Sequence, residues 1–193
     1  MTRAVCARVG WIAGWLAEVY ALDLDFEAER FLVRLSPERA RDLLPQGCRS
    51  GLVVVEHEDQ LELGIHLAPE DEDQAGTVLE ETSHLVCVAW HAARDLPVSQ
   101  LVLELQADVD RFVFARLGSE ENSEPFAHFE HWRWLEGLDP ACRRRYELAH
   151  ERAHRYCRKL DRRFPHRSDT PALLAELRWF YRASPDTKLR TAA

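Results

Sequence analysis

The sequence predicts a mostly helical α+β protein with one small β-hairpin or sheet, and three observations predict it. Most segments space their apolar residues at helical intervals, two adjacent segments between residues 51 and 67 read as strands, and no internal repeat or low-complexity run intervenes. The chain has 193 residues, 46% hydrophobic and 30% charged, which suits a single domain with a real core and excludes wholesale disorder. A minor boundary at 118–125 would set off a basic helical C-terminal part. No apolar run approaches the ~18 residues needed to span a bilayer. Glu18 and Asp23 break the weak apolar stretch near the N-terminus, and no small-residue cleavage site follows. The expected location is therefore cytoplasmic, with no membrane partner. Cys6, Cys48, Cys87, Cys142 and Cys157 are odd in number and never paired as C-x-x-C, which reads as reduced, mostly buried thiols.

Each element follows from local pattern. Residues 4–22 form a helix with Trp11, Trp15, Leu16 and Val19 on one stripe, ended by Asp23-Leu24-Asp25. Residues 26–35 fit a short strand or an irregular helix equally well. Ser36 is an N-cap ahead of Pro37 at the first helical position, so 37–44 is a short helix that stops before Pro45. Gly51–Glu56 is rich in valine and Gln60–Leu67 alternates, giving a hairpin across His57-Glu58-Asp59. The acidic loop 69–76 leads into a helix at about 77–95, ending near Leu96-Pro97, and a second helix runs from Ser99 to Leu117. Three further helices are expected at 127–136, 140–163 and 171–183, with a frayed tail from Ser184.

Charge is unevenly placed. From residue 140 onward fourteen Arg and Lys face six Asp and Glu, a net +8, whereas residues 1–139 carry eleven against twenty-seven, a net −16. Because the basic residues lie on helices with a full apolar face, internal complementarity is the expected use of that charge. An anionic partner on the C-terminal helices is the alternative.

The chemistry concentrates on the helix at 77–95. Val78, Leu79, Leu85, Val86, Val88 and Trp90 make it a buried helix, yet it also carries Glu80, Glu81 and His84. Buried ionisable groups need partners or a metal. The next helix supplies Glu104 and Asp108, four residues apart and so on one face. A metal-free alternative is a buried polar knot in which His84 and Gln106 or Ser83 hydrogen-bond the carboxylates.

The string E-E-T-S-H at 80–84 followed by E-L-Q-A-D at 104–108 resembles the gluzincin metallopeptidases, such as thermolysin, over about a third of the chain. That family places H-E-x-x-H on one helix, a glutamate ligand about twenty positions later on the next, and an aspartate four residues beyond. The resemblance implies His84 and Glu104 as metal ligands, Glu81 as general base when a metal is bound, and Asp108 as the carboxylate orienting a histidine. Glu80 stands where the family has its first histidine. It enters as a third ligand through its own chemistry, and the cofactor would be one divalent ion, Zn or Mn.

A literal H-E-x-x-H occurs at His150–His154, extended by Cys157 and by Glu176. Arg152 and Arg155 crowd it, so a solvated or partner-facing stripe is expected, with a metal cluster of His150, His154, Cys157 and Glu176 as the alternative. A di-iron bundle built from Glu81-x-x-His84, Glu104 and Glu151-x-x-His154 fits poorly with the inserted hairpin. Phe126, Phe129, Trp132 and Trp134, with His128 and His131, read as core packing or as a partner groove. No P-loop, dinucleotide fingerprint or nucleophile elbow is present. The expected function is a degenerate gluzincin-like domain without efficient peptidase activity, serving as a protein-binding or regulatory module. The alternatives are an active metal-dependent hydrolase with a Glu/His/Glu site, and anionic-partner binding by the basic helices. A protein partner is expected; nucleic acid is not.

Overall fold

A computed structural model of the protein describes residues 2–57, 60–118, 124–131 and 137–193. The architecture is α+β and mostly helical, with one three-stranded sheet. Helix α1 (Arg3–Tyr20) buries Val5, Val9, Ile12, Leu16 and Val19, spaced at three and four residues. Trp11 was expected on this stripe but is 54% exposed. The buried face is centred one position away, and Trp11 and Trp15 instead set their edges against Phe114. The helix closes at Ala21, in the left-handed conformation (φ 49°), before the acidic residues that were expected to end it.

The ambiguous stretch 26–35 is neither a full strand nor a helix. A 3-10 turn at Ala28–Phe31 leads into the two-residue strand β1 (Leu32–Val33). Helix α2 (Pro37–Leu43) begins as its sequence dictates, with Ser36 accepting from the Arg39 amide and proline in the first turn. Strands β2 (Gly51–His57) and β3 (Gln60–His66) form the hairpin in register Gly51 to His66 and His57 to Gln60; its turn, Glu58 and Asp59, lies outside the described residues. β1 joins parallel to β3, giving the order β1-β3-β2.

The sheet packs on α3 (Ala75–Ala92), which also contacts α1 and α4 (Gln100–Val113); α4 packs in turn on α6 (Pro140–Arg163). α3 starts two residues earlier and stops three earlier than its periodicity predicts, and Asp95 (φ 52°) turns the chain beyond it. α4 gives way to a π turn at Phe114–Gly118. Helix α5 spans Ala127–Glu130, while the rest of the expected 127–136 segment, including Trp132 and Trp134, lies outside the described residues, as do 119–123.

α6 matches its expected span, with Asp139 accepting from the amides of Ala141 and Cys142. Of the stripe His150, His154 and Cys157, the cysteine is buried and the two histidines are half-buried. Ala149, Ala153, Tyr156, Cys157 and Leu160 are buried because α4 covers this face. Helix α7 (Thr170–Arg182) packs on α1. The expected frayed tail is a helix, α8 (Pro185–Thr191), capped by Ser184, which accepts from the Thr187 amide. Most of the buried apolar residues of α1, α3, α4, α6 and α7 belong to one cluster. Among the described residues no helix is long and apolar enough to cross a membrane.

Candidate metal centre

The α3–α4 pairing brings Glu80, His84 and Glu104 together, with one potential ligand atom from each lying within 4.8 Å of the others. Glu80 and His84 stack one turn apart on α3, and Glu104 faces them from α4. His84 lies between two carboxylates, its Nδ1 3.5 Å from Glu81 Oε2 and its Nε2 3.5 Å from Glu104 Oε2. Both His84 and Glu81 are more than nine-tenths buried, and neither His84 Nε2 nor Glu81 Oε2 has a hydrogen-bond partner among the described residues. Burial disfavours a charged imidazole, but Glu104 and then Glu81 outweigh it and hold the His84 pKa well above the ordinary histidine value. Burial pushes the Glu81 carboxyl up, with His84 opposing and Glu80 and Glu104 reinforcing the rise.

Glu80 is already engaged. Arg111 Nη2 sits 2.5 Å from Glu80 Oε2 and also donates to the Gly76 carbonyl at 3.3 Å. Burial alone would lower the Arg111 pKa, but Glu80 and the surrounding acids raise it, so the guanidinium stays charged beside the cluster.

Asp108 does not reach for His84. Its Oδ2 is 3.1 Å from His150 Nδ1 and its Oδ1 is 3.9 Å from His128 Nε2. The first histidine of the H-E-x-x-H string on α6 therefore turns to α4 and meets Asp108. Among the described residues, His150, His154, Cys157 and Glu176 do not form a metal-compatible group. His154 stacks on Phe129 with ring centroids 4.8 Å apart, Cys157 is wholly buried, and Glu176 pairs with Arg163 at 2.8 Å.

Glu80 and Glu81 line a cleft of about 350 Å³ whose wall also includes Cys48, Arg111, His128 and Tyr146. The Cys48 side of the mouth is held by Ser50, which donates to Asp71 at 2.8 Å and accepts from the Ala68 amide at 2.9 Å. Burial pushes the Tyr146 hydroxyl well up, with Glu104 adding to the effect, and pushes the Cys48 thiol up to about 11. Both stay protonated at neutral pH. Burial and the Arg111 charge drive His128 down to about 3, so its imidazole is neutral.

No family model, curated protein or solved structure matches the chain. The site thus rests on its own geometry, which supplies a metal-compatible triad.

Arg111 and Tyr146 escape a reading of the sequence, which marks Cys48 as a thiol and His128 as part of an aromatic stripe without joining either to this site. Tyr146 and Cys48 come from elements remote from α3, and an arginine seven residues past Glu104 looks like any helix-surface cation. A second polar group was partly visible. Ser83 and Gln106 do hydrogen-bond a carboxylate, but it is Asp110: Ser83 donates at 2.5 Å and Gln106 at 2.8 Å. Tyr20 donates to the same group, and Lys188 of α8 donates to Gln106 Oε1 at 3.1 Å. Asp110 sits between Val109 and Phe112 with Gln106 one turn before it, which was the available signal.

Proposed function

We propose that this chain is a binding or regulatory module built on a degenerate gluzincin-like helix pair, holding a divalent ion weakly and lacking efficient peptidase activity. The observation that carries this reading is the Arg111–Glu80 ion pair. Glu80 occupies the position where the resembled family has its first histidine ligand, and here it neutralises a buried cation. A divalent ion at the triad would share Glu80 with that guanidinium and meet its repulsion across a poorly solvated space. The engagement of Asp108 by His150 argues the same way, since the aspartate that stands where the resembled family keeps its orienting carboxylate is turned to α6 and not to the triad.

The compact triad, with a His84 Nε2 that makes no hydrogen bond among the described residues, favours a second reading, an active metal-dependent hydrolase. In it the ion would be held by Glu80, His84 and Glu104, would lower the pKa of a bound water, and Glu81 would accept the proton.

Metal analysis of untagged protein separates the two. The expected result is less than one equivalent of zinc or manganese, and peptide hydrolysis at background with either ion added. Stoichiometric metal that disappears in His84→Ala and Glu104→Ala, with hydrolysis abolished by Glu81→Gln, would establish the hydrolase instead.

A further inference from the structure

We infer that α8 is a latch on the α3–α4 pair: Lys188 docks it on the Asp110 cluster, and it releases as a unit while the rest of the fold holds. This inference goes beyond the binding-module reading and requires no metal. Of the seven residues of α8, Lys188 alone is buried, and Leu189 is half-buried. Lys188 Nζ donates to Gln106 Oε1 at 3.1 Å and lies 5.0 Å from the centre of the Tyr181 ring and 5.6 Å from that of Phe180. Gln106 carries the contact onward, donating to Asp110 at 2.8 Å and to the Tyr20 hydroxyl at 3.2 Å. Asp110 in turn accepts from Ser83 of α3 at 2.5 Å. Ser83 adjoins His84, and Gln106 lies two residues past Glu104, so the latch bears on both helices of the triad.

What holds α8 down is mostly polar. Arg152 donates to the Leu189 carbonyl, and Lys159 donates to those of Thr191 and Ala193. Water replaces such hydrogen bonds at small net cost, whereas the apolar burial that anchors the other helices is scant here. A lysine taken wholly out of water onto a neutral amide is itself costly, and release returns its amine to solvent. Ala183 and Ser184 are extended between α7 and α8 and serve as the hinge. A seven-residue helix does not persist alone in water, so α8 unravels as it leaves and bares the bond between Lys188 and Leu189.

Lys159 and Lys188 are the only lysines of the chain, so a lysine-specific endoproteinase reads the release directly. Lys159 lies within α6, where cleavage requires that long helix to leave the core. The full chain is digested under native conditions with a chelator present, and mass spectrometry follows both cuts. Cleavage after Lys188 is expected to be at least tenfold faster than after Lys159, and proportional to protease concentration. Lys159→Met, which removes two of the carbonyl contacts, should speed the Lys188 cut at least threefold while the melting temperature holds. The chain cut after Lys188 should keep its circular dichroism spectrum. Its amides around Ser83 and Gln106 should exchange hydrogen at least tenfold faster than in the intact chain, with the β2–β3 hairpin unchanged. Equal rates at the two lysines would overturn independent release. An unchanged Lys188 rate in Lys159→Met, or unchanged exchange around Ser83 and Gln106 in the cut chain, would overturn the latch.

Discussion

His84 is held by charge on both sides and by apolar packing around it, with Val78, Leu85 and Val88 buried on the same helix. Its replacement by alanine leaves Glu81 and Glu104 facing each other without the imidazole between them. Breaking a buried charged group of this kind costs about 3–5 kcal/mol. His154 differs: it is half-buried, stacks on Phe129 and accepts from Arg158 Nε at 3.2 Å. Losing one such ring contact costs about 1 kcal/mol. Paired urea titrations of His84→Ala and His154→Ala, with equal m-values, should therefore rank the two with His84 clearly the more damaging. Equal losses would mean that His84 is not an organising residue. The contrast was readable in the sequence, because His84 lies among Leu85, Val86 and Val88 while His154 lies among arginines. The partner of Asp108 was not readable. Four-residue spacing puts Asp108 on the face of Glu104, but which histidine meets it depends on how α6 crosses α4, and no local pattern encodes that.

Among the elements, α8 carries the largest difference from expectation. Ser184-Pro185-Asp186 repeats the pattern of Ser36-Pro37-Glu38, a cap followed by proline in the first turn and an early acid, and both strings start seven-residue helices. Position near the chain end had suggested fraying, yet Lys188 is fully buried and joins α8 to α4, and through Asp110 to α1 and α3. Tyr20, Cys87, Cys157, Tyr181 and Lys188 are the titratable neighbours of Asp110. Burial pushes the Asp110 carboxyl up to about 6, against the hydrogen bonds of Ser83, Tyr20 and Gln106 and the charge of Lys188. A folded-state pKa above the unfolded one favours the fold while the group is protonated. That contribution is complete below about pH 4 and is lost as pH rises through about 6, a loss on the order of 3 kcal/mol. Asp110→Asn removes the titration. Relative to wild type, the variant should gain stability steadily between pH 4 and 7. A pH-independent difference between the two proteins would show that Asp110 is ionised throughout.

At the scale of the molecule, many basic side chains of the C-terminal third are engaged within the molecule, mostly by that third itself and in part by α1 and α5. Arg152 donates to the Leu189 carbonyl, and Lys159 donates to the carbonyls of Thr191 at 3.0 Å and Ala193 at 2.9 Å, so α6 holds down the C-terminal end of α8. Arg178 and Arg182 of α7 donate to the carbonyls of Val19 and Ala21 at the end of α1. Arg143, Arg158 and Arg163 meet Glu147, Glu130 and Glu176. A cation paired with a carboxylate offers less net charge to a phosphate, and one held on a carbonyl must give up that hydrogen bond to reach it. The acidic remainder of the chain, with its net −16, would in addition repel a polyanion that came close. A short DNA duplex should accordingly bind more weakly than about 10 µM at physiological salt, at the loose end of sequence-independent association. Fluorescence anisotropy across a salt series measures this directly. If a tight complex formed, with a steep salt dependence that flattened when Arg143, Arg144 and Arg145 were changed to glutamine, the positive charge of α6 would be a surface for partners. The internal pairing would then be only its resting arrangement.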